Sequence, residues 1–188
     1  MKLEEAINKR TSIRNFSDKS VAFGPVLEAI DAANQAPFAG NVNNLKFLIV
    51  EQKESKDHIA RFSQQLWISD ASWIVIICSQ NKHLENLYEE RGVEYAKQQA
   101  GAAIENMLLS LTAQGLASCW VGEFSEQEIK VKFKIPQDWN IEAIIPIGYA
   151  KSKSVKKKKA DLENKIFWEK WNEKYKKQKY PYEDPSTQ

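Results

Sequence analysis

Cysteine and histidine are scarce: 188 residues hold two of each, Cys78 and Cys119, His58 and His83. The cysteines form no CxxC pair and sit inside apolar stretches, which excludes a disulfide framework and predicts two reduced, buried thiols. Acids and histidines never fall at ligand spacing, so no metal centre is expected. His58 and His83 lie far apart on predicted exposed helix faces and read as surface histidines. No residue stands out as a nucleophile. Long hydrophobic runs are also missing. The strongest, Trp73 to Cys78, is too short to span a bilayer, and the opening Met1-Lys2-Leu3-Glu4-Glu5 puts acids where a signal peptide carries its apolar stretch. A cytoplasmic protein is expected. Neither sign of charge dominates, since 27 basic against 25 acidic residues leave +2, a balance that does not point to nucleic acid. The basic excess is local, at Lys151, Lys153 and Lys156 to Lys159. There is no internal repeat and no domain linker.

What is present suffices for one core: 43% of residues are hydrophobic and 11% aromatic. The expected organisation is one domain over residues 1–160 and a C-terminal arm over 161–188. Leu3, Ala6 and Ile7 share a helical face, and Arg10-Thr11-Ser12-Ile13-Arg14 follows at the helix end or the turn after it. Pro25 behind Gly24 opens a second helix, which Pro37 stops. Strands are predicted at Leu45 to Glu51, Trp73 to Ser79, Ser118 to Gly122 and Glu142 to Tyr149, and a helix at Glu54 to Trp67 with Ile59, Phe62 and Leu66 inward. From about Leu84 to Gln114 the pattern is one long helix, apolar or small on most sides in its second half, as for a helix at a domain centre or dimer interface. Ser125 and Glu128 form a capping box for a helix fading before Pro136. A last helix runs from Asp161 to about Lys179, with Leu162, Ile166, Phe167, Trp171 and Tyr175 along it.

Arg10 to Arg14 combines two guanidinium groups and two hydroxyls in five residues, a set that suits a phosphate dianion but that, taken alone, reads first as a solvated helix end. As Arg-x-Ser-Ile-Arg-x-Phe, it resembles the opening motif of the FMN-dependent nitroreductase family. Three further segments agree in order. Ala36-Pro37-Phe38-Ala39-Gly40-Asn41-Val42-Asn43-Asn44 is similar to that family's Ala-Pro-Ser loop ending in Asn-x-Gln-Pro. Ala102 to Gly122, with Glu105-Asn106-Met107 and Gly115-Leu116-Ala117-Ser118-Cys119-Trp120-Val121-Gly122, resembles its central helix and Gly-Leu-Gly-Ser-x-Trp turn. Pro146-Ile147-Gly148-Tyr149-Ala150 and the lysine cluster resemble its closing strand and basic tail.

The resemblance implies an α+β, three-layer sandwich with a mixed, mostly antiparallel sheet flanked by helices, homodimeric, with the long central helix at the two-fold interface and FMN shared between subunits. It places Arg10, Thr11 and Ser12 at the FMN phosphate and ribityl chain, with Lys157 and Lys159 reaching the phosphate. Arg14 would face the pyrimidine side of the ring, where a fixed cation stabilises the negative charge of the reduced form. Trp120, Val121 and Gly122 would bring backbone N–H groups near flavin N5, Gly122 permitting close approach. Phe38, Asn41 and Asn43 would come from the loop expected to cross to the partner subunit. The chain departs from the family there: Phe38 stands for Ser, and Asn43-Asn44 for Gln-Pro. Asn43 still offers an amide donor and a carbonyl to the flavin N3 and O4 edge. No catalytic side chain is required, because the flavin does the chemistry.

The implied activity is electron transfer from NAD(P)H to a nitroaromatic, quinone or similar acceptor by a ping-pong cycle. Trp67, Trp73 and Phe124 are either pocket aromatics or core residues. Two other readings stay open. Some relatives dehalogenate aromatic substrates or modify the flavin itself. The basic stretch and the aromatic-basic tail also suit a nucleic-acid or partner-binding protein, although Glu163, Glu169 and Glu173 interrupt that run and favour a charge-mixed arm packing on a partner subunit.

Overall fold

The computed structural model describes residues 1–152, 159–162 and 165–174. The chain forms two compact units, Met1–Ser154 and Val155–Gln188. In the first, helices α1 (Leu3–Lys9), α2 (Phe23–Asn34), α3 (Lys53–Phe62), α4 (Lys82–Tyr88), α5 (Arg91–Ala113) and α6 (Glu126–Phe133) surround strands β1 (Leu45–Val50), β2 (Trp73–Ser79), β3 (Ala117–Ser118) and β4 (Asn140–Gly148). The sheet order is β1-β2-β4-β3, and every strand pair is antiparallel. One parallel contact joins its edge, an isolated bridge from Ser12 to Ser118.

Successive residues of a strand face opposite sides of a sheet, and here both sides are covered. On β2, Val75 and Ile77 point to one layer while Ile74, Ile76 and Cys78 point to the other; on β4, Ala143, Ile145 and Ile147 oppose Ile144 and Ile141. The first layer contains α2 and α5, through Val26, Ala29, Ala33, Ala103, Ile104, Met107 and Leu111. The second contains α3 and α6, through Ile59, Ala60 and Ile129, with Ile68 and Phe16 beside them. The result is the three-layer α+β sandwich expected from the resemblance. Trp-Ile-Val-Ile-Ile-Cys reads as an unbroken apolar run because neither of its faces meets water.

Several boundaries differ from the sequence expectation. The long helix from Leu84 is two helices, broken at Glu89, whose φ of 51° leaves the helical region. Gly92 lies directly against the backbone of Leu84, so the two helices approach more closely than any side chain would allow. The helix after β1 ends at Phe62, and Gln64 takes a positive φ before a 3-10 turn at Leu66–Asp70. This turn buries Ile68 and leaves Leu66 77% exposed, so Leu66 does not face inward. Pro25 is the third residue of α2, where its missing N–H is one of the unpaired first four. Ser125 does precede α6, but its hydroxyl makes no cap bond. The Glu126 carboxylate instead accepts from the Ile141 N–H at 3.0 Å and pairs with Lys130 at 2.7 Å, tying the helix to β4. Of the Ser118 to Gly122 segment only Ser118 pairs as a strand, together with Ala117 before it, and a separate bridge joins Val121 to Ile144.

In the second unit, the arm's predicted helix is not found among the described residues. Glu169 and Asn172 have φ of 61° and 70°, and the chain folds into turns that bring Phe167 and Trp171 to 4.7 Å between ring centroids. Lys174 lies 5.1 Å from the Phe167 ring. Lys153, Lys156, Lys157, Glu163 and Tyr175 lie outside the described residues. No helix among the described residues is long and apolar enough to cross a membrane.

Gly92→Ala is expected to lower stability in urea unfolding by about 2–3 kcal/mol, the cost of overpacking against backbone that cannot move aside. Gly24→Ala, where an added methyl meets nothing within 4 Å, should instead be neutral or stabilise by roughly 0.5 kcal/mol from helix propensity. Equal effects of the two substitutions would contradict the tight α4–α5 junction.

Candidate functional site

The segment after α1 is fixed by backbone bonds at both ends. Arg10 N–H donates to Ala6 at 2.8 Å, Ile13 N–H to the Ser118 carbonyl at 3.0 Å, and Ser17 N–H to Tyr149 at 2.8 Å. Phe16 is buried, its ring lying where a Cβ on Gly148 would come within 2.7 Å of it. With Ile13 half-buried and Phe16 inward, Ser12 and Arg14 are left exposed on the surface beside the sheet edge. Arg10 is held through Nε, 3.2 Å from the Glu105 carboxylate on α5. An arginine gripped in this way keeps its terminal NH₂ pair for a second, forked partner. Thr11 is half-buried and lines a small open hollow with Lys9, Thr112 and Ser152.

The turn following α5 meets this segment. Gly115, at φ 76°, ends the helix, and Leu116 N–H closes the turn on Leu111 at 2.9 Å. The chain then runs along β4, and Val121 exchanges two 3.0 Å backbone bonds with Ile144. Cys119 and Val121 are buried, whereas Trp120 between them is 40% exposed, its ring 3.8 Å from where a Cβ on Gly101 would stand. Gly122 is exposed, with open space where a side chain would be. Burial pushes the Cys119 thiol above its ordinary range, opposed by the positive charge of Arg14, a hydrogen bond with Ser12 and the charge of Arg10. That thiol therefore marks the point where Arg10, Ser12 and Arg14, from the N-terminus, converge with the Trp120 turn more than a hundred residues later.

The third predicted segment lies elsewhere on α5. Gly40 and Asn41 have φ of 57° and 58° in a 3-10 turn at Ala39–Asn41. A left-handed conformation outside glycine costs on the order of 1 kcal/mol and needs support from its surroundings. The buried Gln99 side chain provides it by accepting from Ala39 N–H at 3.1 Å and donating to the Val42 carbonyl at 3.1 Å. Phe38 packs on the core layer of α2 and α5. Asn43 is exposed, its Nδ2 donating to Asn34 at 2.7 Å and its Oδ1 accepting from Leu45 N–H at 3.0 Å. Gln99 and Glu105 are six residues apart, about 9 Å along the helix and on different faces. Within one chain, then, α5 carries the loop and the Arg10 segment at separate places. Lys157 lies outside the described residues, and Lys159 is exposed in the second unit.

Trp67, Trp73 and Phe124 are half-buried against the core layers, with Trp73 Nε1 donating to Val21 at 2.8 Å. His83 is exposed, but His58 is half-buried, its ring 4.5 Å from Phe62 and 3.3 Å from the Glu128 carbonyl, because α6 packs over α3 there. Sequence reasoning assigned no role to Gln99, Glu105 or Gly101.

The family model described as "Putative TM nitroreductase" matches residues 2–179. A relative from Archaeoglobus fulgidus, "Putative NADH dehydrogenase/NAD(P)H nitroreductase", is 27% identical over 150 residues, covering 77% of this chain and 83% of that protein. Iodotyrosine deiodinase of Thermotoga neapolitana is 23% identical over 163 residues, covering 78% and 88%. The structure of NADPH:FMN oxidoreductase from Vibrio harveyi, complexed with NAD⁺, is similar with a TM-score of 0.81 at 16% identity, over 91% of this chain and 78% of that one.

Burial raises Cys78 to about 11 and shifts Cys119 in the same direction. At pH 8, a thiol of pKa 11 is about one part in a thousand thiolate, the reactive form. The native protein should therefore leave a soluble aromatic disulfide reagent uncoloured at pH 8 and release two equivalents of chromophore once denatured. Fast reaction of one native thiol would contradict the packing around the site.

Proposed function

The chain belongs to the nitroreductase family, and on that basis we propose that it is a cytoplasmic, FMN-dependent homodimeric oxidoreductase passing electrons from NAD(P)H to a nitroaromatic, quinone or similar acceptor by a ping-pong cycle. The observation that carries this is the convergence of Arg10, Ser12 and Arg14 with the Trp120-Val121-Gly122 turn beside α5. The donor set fits the cofactor. A phosphate needs charge and directional hydroxyls, which Arg10, Thr11 and Ser12 supply. A planar ring needs open space, and Gly122, with nothing within 4 Å of an added Cβ, and the exposed Trp120 leave it.

FMN, when bound, supplies the hydride and electron chemistry. The chain's residues do the rest. Arg10, steadied by Glu105, fixes the phosphate end, while the Val121–Ile144 pairing holds the turn rigid; that pairing uses the Val121 N–H, so Val121 anchors the turn and Gly122 beside it is left to meet the ring. Arg14 sets a fixed charge where negative charge gathers on reduction. Phe38, Asn41 and Asn43 act on the partner's ring: their attachment to a different face of α5 from the Arg10 segment supports a site completed by two subunits. Gly101 and Ala102 of α5, small and half-buried within one chain, leave room for such a subunit to approach.

Purified protein is expected to be yellow, to release FMN on heating, and to bleach under argon on addition of NADH or NADPH. A colourless protein that takes up no added FMN would overturn the proposal, and FMN without bleaching would point to the dehalogenating or flavin-modifying relatives. Arg14→Ala should lower the two-electron potential by a few tens of millivolts, about 30 mV corresponding to 1.4 kcal/mol, with Arg14→Lys between it and wild type. An unchanged potential would remove Arg14 from the ring. Dilution until the dimer dissociates should release the flavin, and a monomer that retained it would show the site to be complete in one chain.

A further inference from the structure

Gln99 is a buried amide in a helix of small and apolar residues, 4% exposed, and each of its hydrogen-bonding groups is used. Oε1 accepts from the Ala39 N–H at 3.1 Å; Nε2 donates to the Val42 carbonyl at 3.1 Å and to Oδ1 of Asn44. Asn44 extends the relay, its Nδ2 donating to the Gln80 carbonyl at 3.1 Å while its own carbonyl accepts from Gln80 N–H at 3.1 Å, at the end of β2. One amide thus grips the loop on both sides of the left-handed pair Gly40 and Asn41. From the other side, the Tyr88 hydroxyl sits 2.7 Å from where a Cβ on Gly40 would be, so the α4 side chain also lies against this loop.

We propose that Gln99 is the positioning residue for the loop, setting the backbone of Phe38, Asn41 and Asn43 at the flavin edge, a role that rests on the flavin reading of that loop. Gln99 touches neither ring nor phosphate; it acts through Ala39, Val42 and Asn44. The arrangement is specific to an amide. A carboxylate of the same shape keeps the acceptor for Ala39 but turns a second oxygen toward two other oxygens. A methionine fills the space and leaves all the loop's partners unsatisfied.

The test uses the full-length dimeric protein with Gln99→Met and Gln99→Glu, FMN titration, and amide hydrogen exchange read at Ala39. Gln99→Met is expected to weaken FMN binding roughly tenfold, the size of effect lost ordering hydrogen bonds give. Ala39 exchange should quicken by at least as much, with β2 amides unchanged. Gln99→Glu is the variant that separates positioning from space-filling. Burial raises the pKa of a carboxyl, so near pH 5 the protonated side chain can donate again and FMN affinity should approach wild type. Near pH 8 the affinity should fall, relative to wild type at each pH. The proposal is overturned by unchanged FMN affinity in both variants, or by equal affinity of Gln99→Glu at the two pH values. If Gln99→Met does not fold, the pH profile of Gln99→Glu decides. Wild-type protein that binds no FMN would remove the flavin role, and faster Ala39 exchange in the same samples would show that failure to belong to the flavin reading and leave the clamp on the loop standing.

Discussion

The rest of the structure depends on the packing of one helix that is narrow at its middle. Small residues at 96, 100, 101, 102 and 103 of α5 let several parts of the chain come against it: α2 and the sheet on its buried face, the Ala39 loop at Gln99, the N-terminal segment at Glu105, and the Trp120 ring at Gly101. Its larger side chains, Ile104, Met107, Leu108 and Leu111, point into the core. Each contributes about 1.5–3 kcal/mol of burial free energy, so the helix is anchored by that stripe and free elsewhere to serve as a template.

Electrostatics at the site follow from the same packing. Arg10 and Arg14 are gathered at a sheet edge where the neighbouring buried group, Cys119, is a neutral thiol, and where the Glu105 carboxylate meets Arg10 through Nε. Two guanidinium groups stand there against one carboxylate, the balance that the proposed binding of a phosphate and a reduced ring requires. The buried thiol fills space without competing as an anion, because burial opposes its ionisation. On the opposite core layer, the Glu126–Lys130 pair and the Glu126 bond to Ile141 fasten α6 to β4, which keeps the strand that aligns Val121 in register.

Much of this was legible in the sequence where periodicity is strong. Trp73 to Ser79 is a strand with the bounds its composition indicated, and the small and apolar pattern after Ala100 marked a buried helix. Order and spacing of the Arg10, Pro37, Gly115 and Pro146 segments carried the family. What escaped was local backbone geometry. Glu89 and Gln64 adopt positive φ with no glycine to announce it, so one helix read as unbroken and another as too long. The Ser125 capping box failed because Glu126 found better partners across space. The role of Gln99 was hidden for a similar reason: its three partners lie 55 to 60 positions away, and no pattern within the helix reports them.

The central claim is that the Arg10 segment and the Trp120 turn together form a flavin phosphate and ring site. The most direct measurement is the ratio of FMN to riboflavin affinity in wild-type protein and in Arg10→Ala, since the two ligands differ only by the phosphate. The account predicts that wild type prefers FMN by at least roughly a hundredfold, as charge-assisted bonds at about 1.5–3 kcal/mol each require. Arg10→Ala should cut that preference about tenfold or more while riboflavin affinity changes little. Equal affinity for the two ligands, or a preference that survives Arg10→Ala intact, would contradict it.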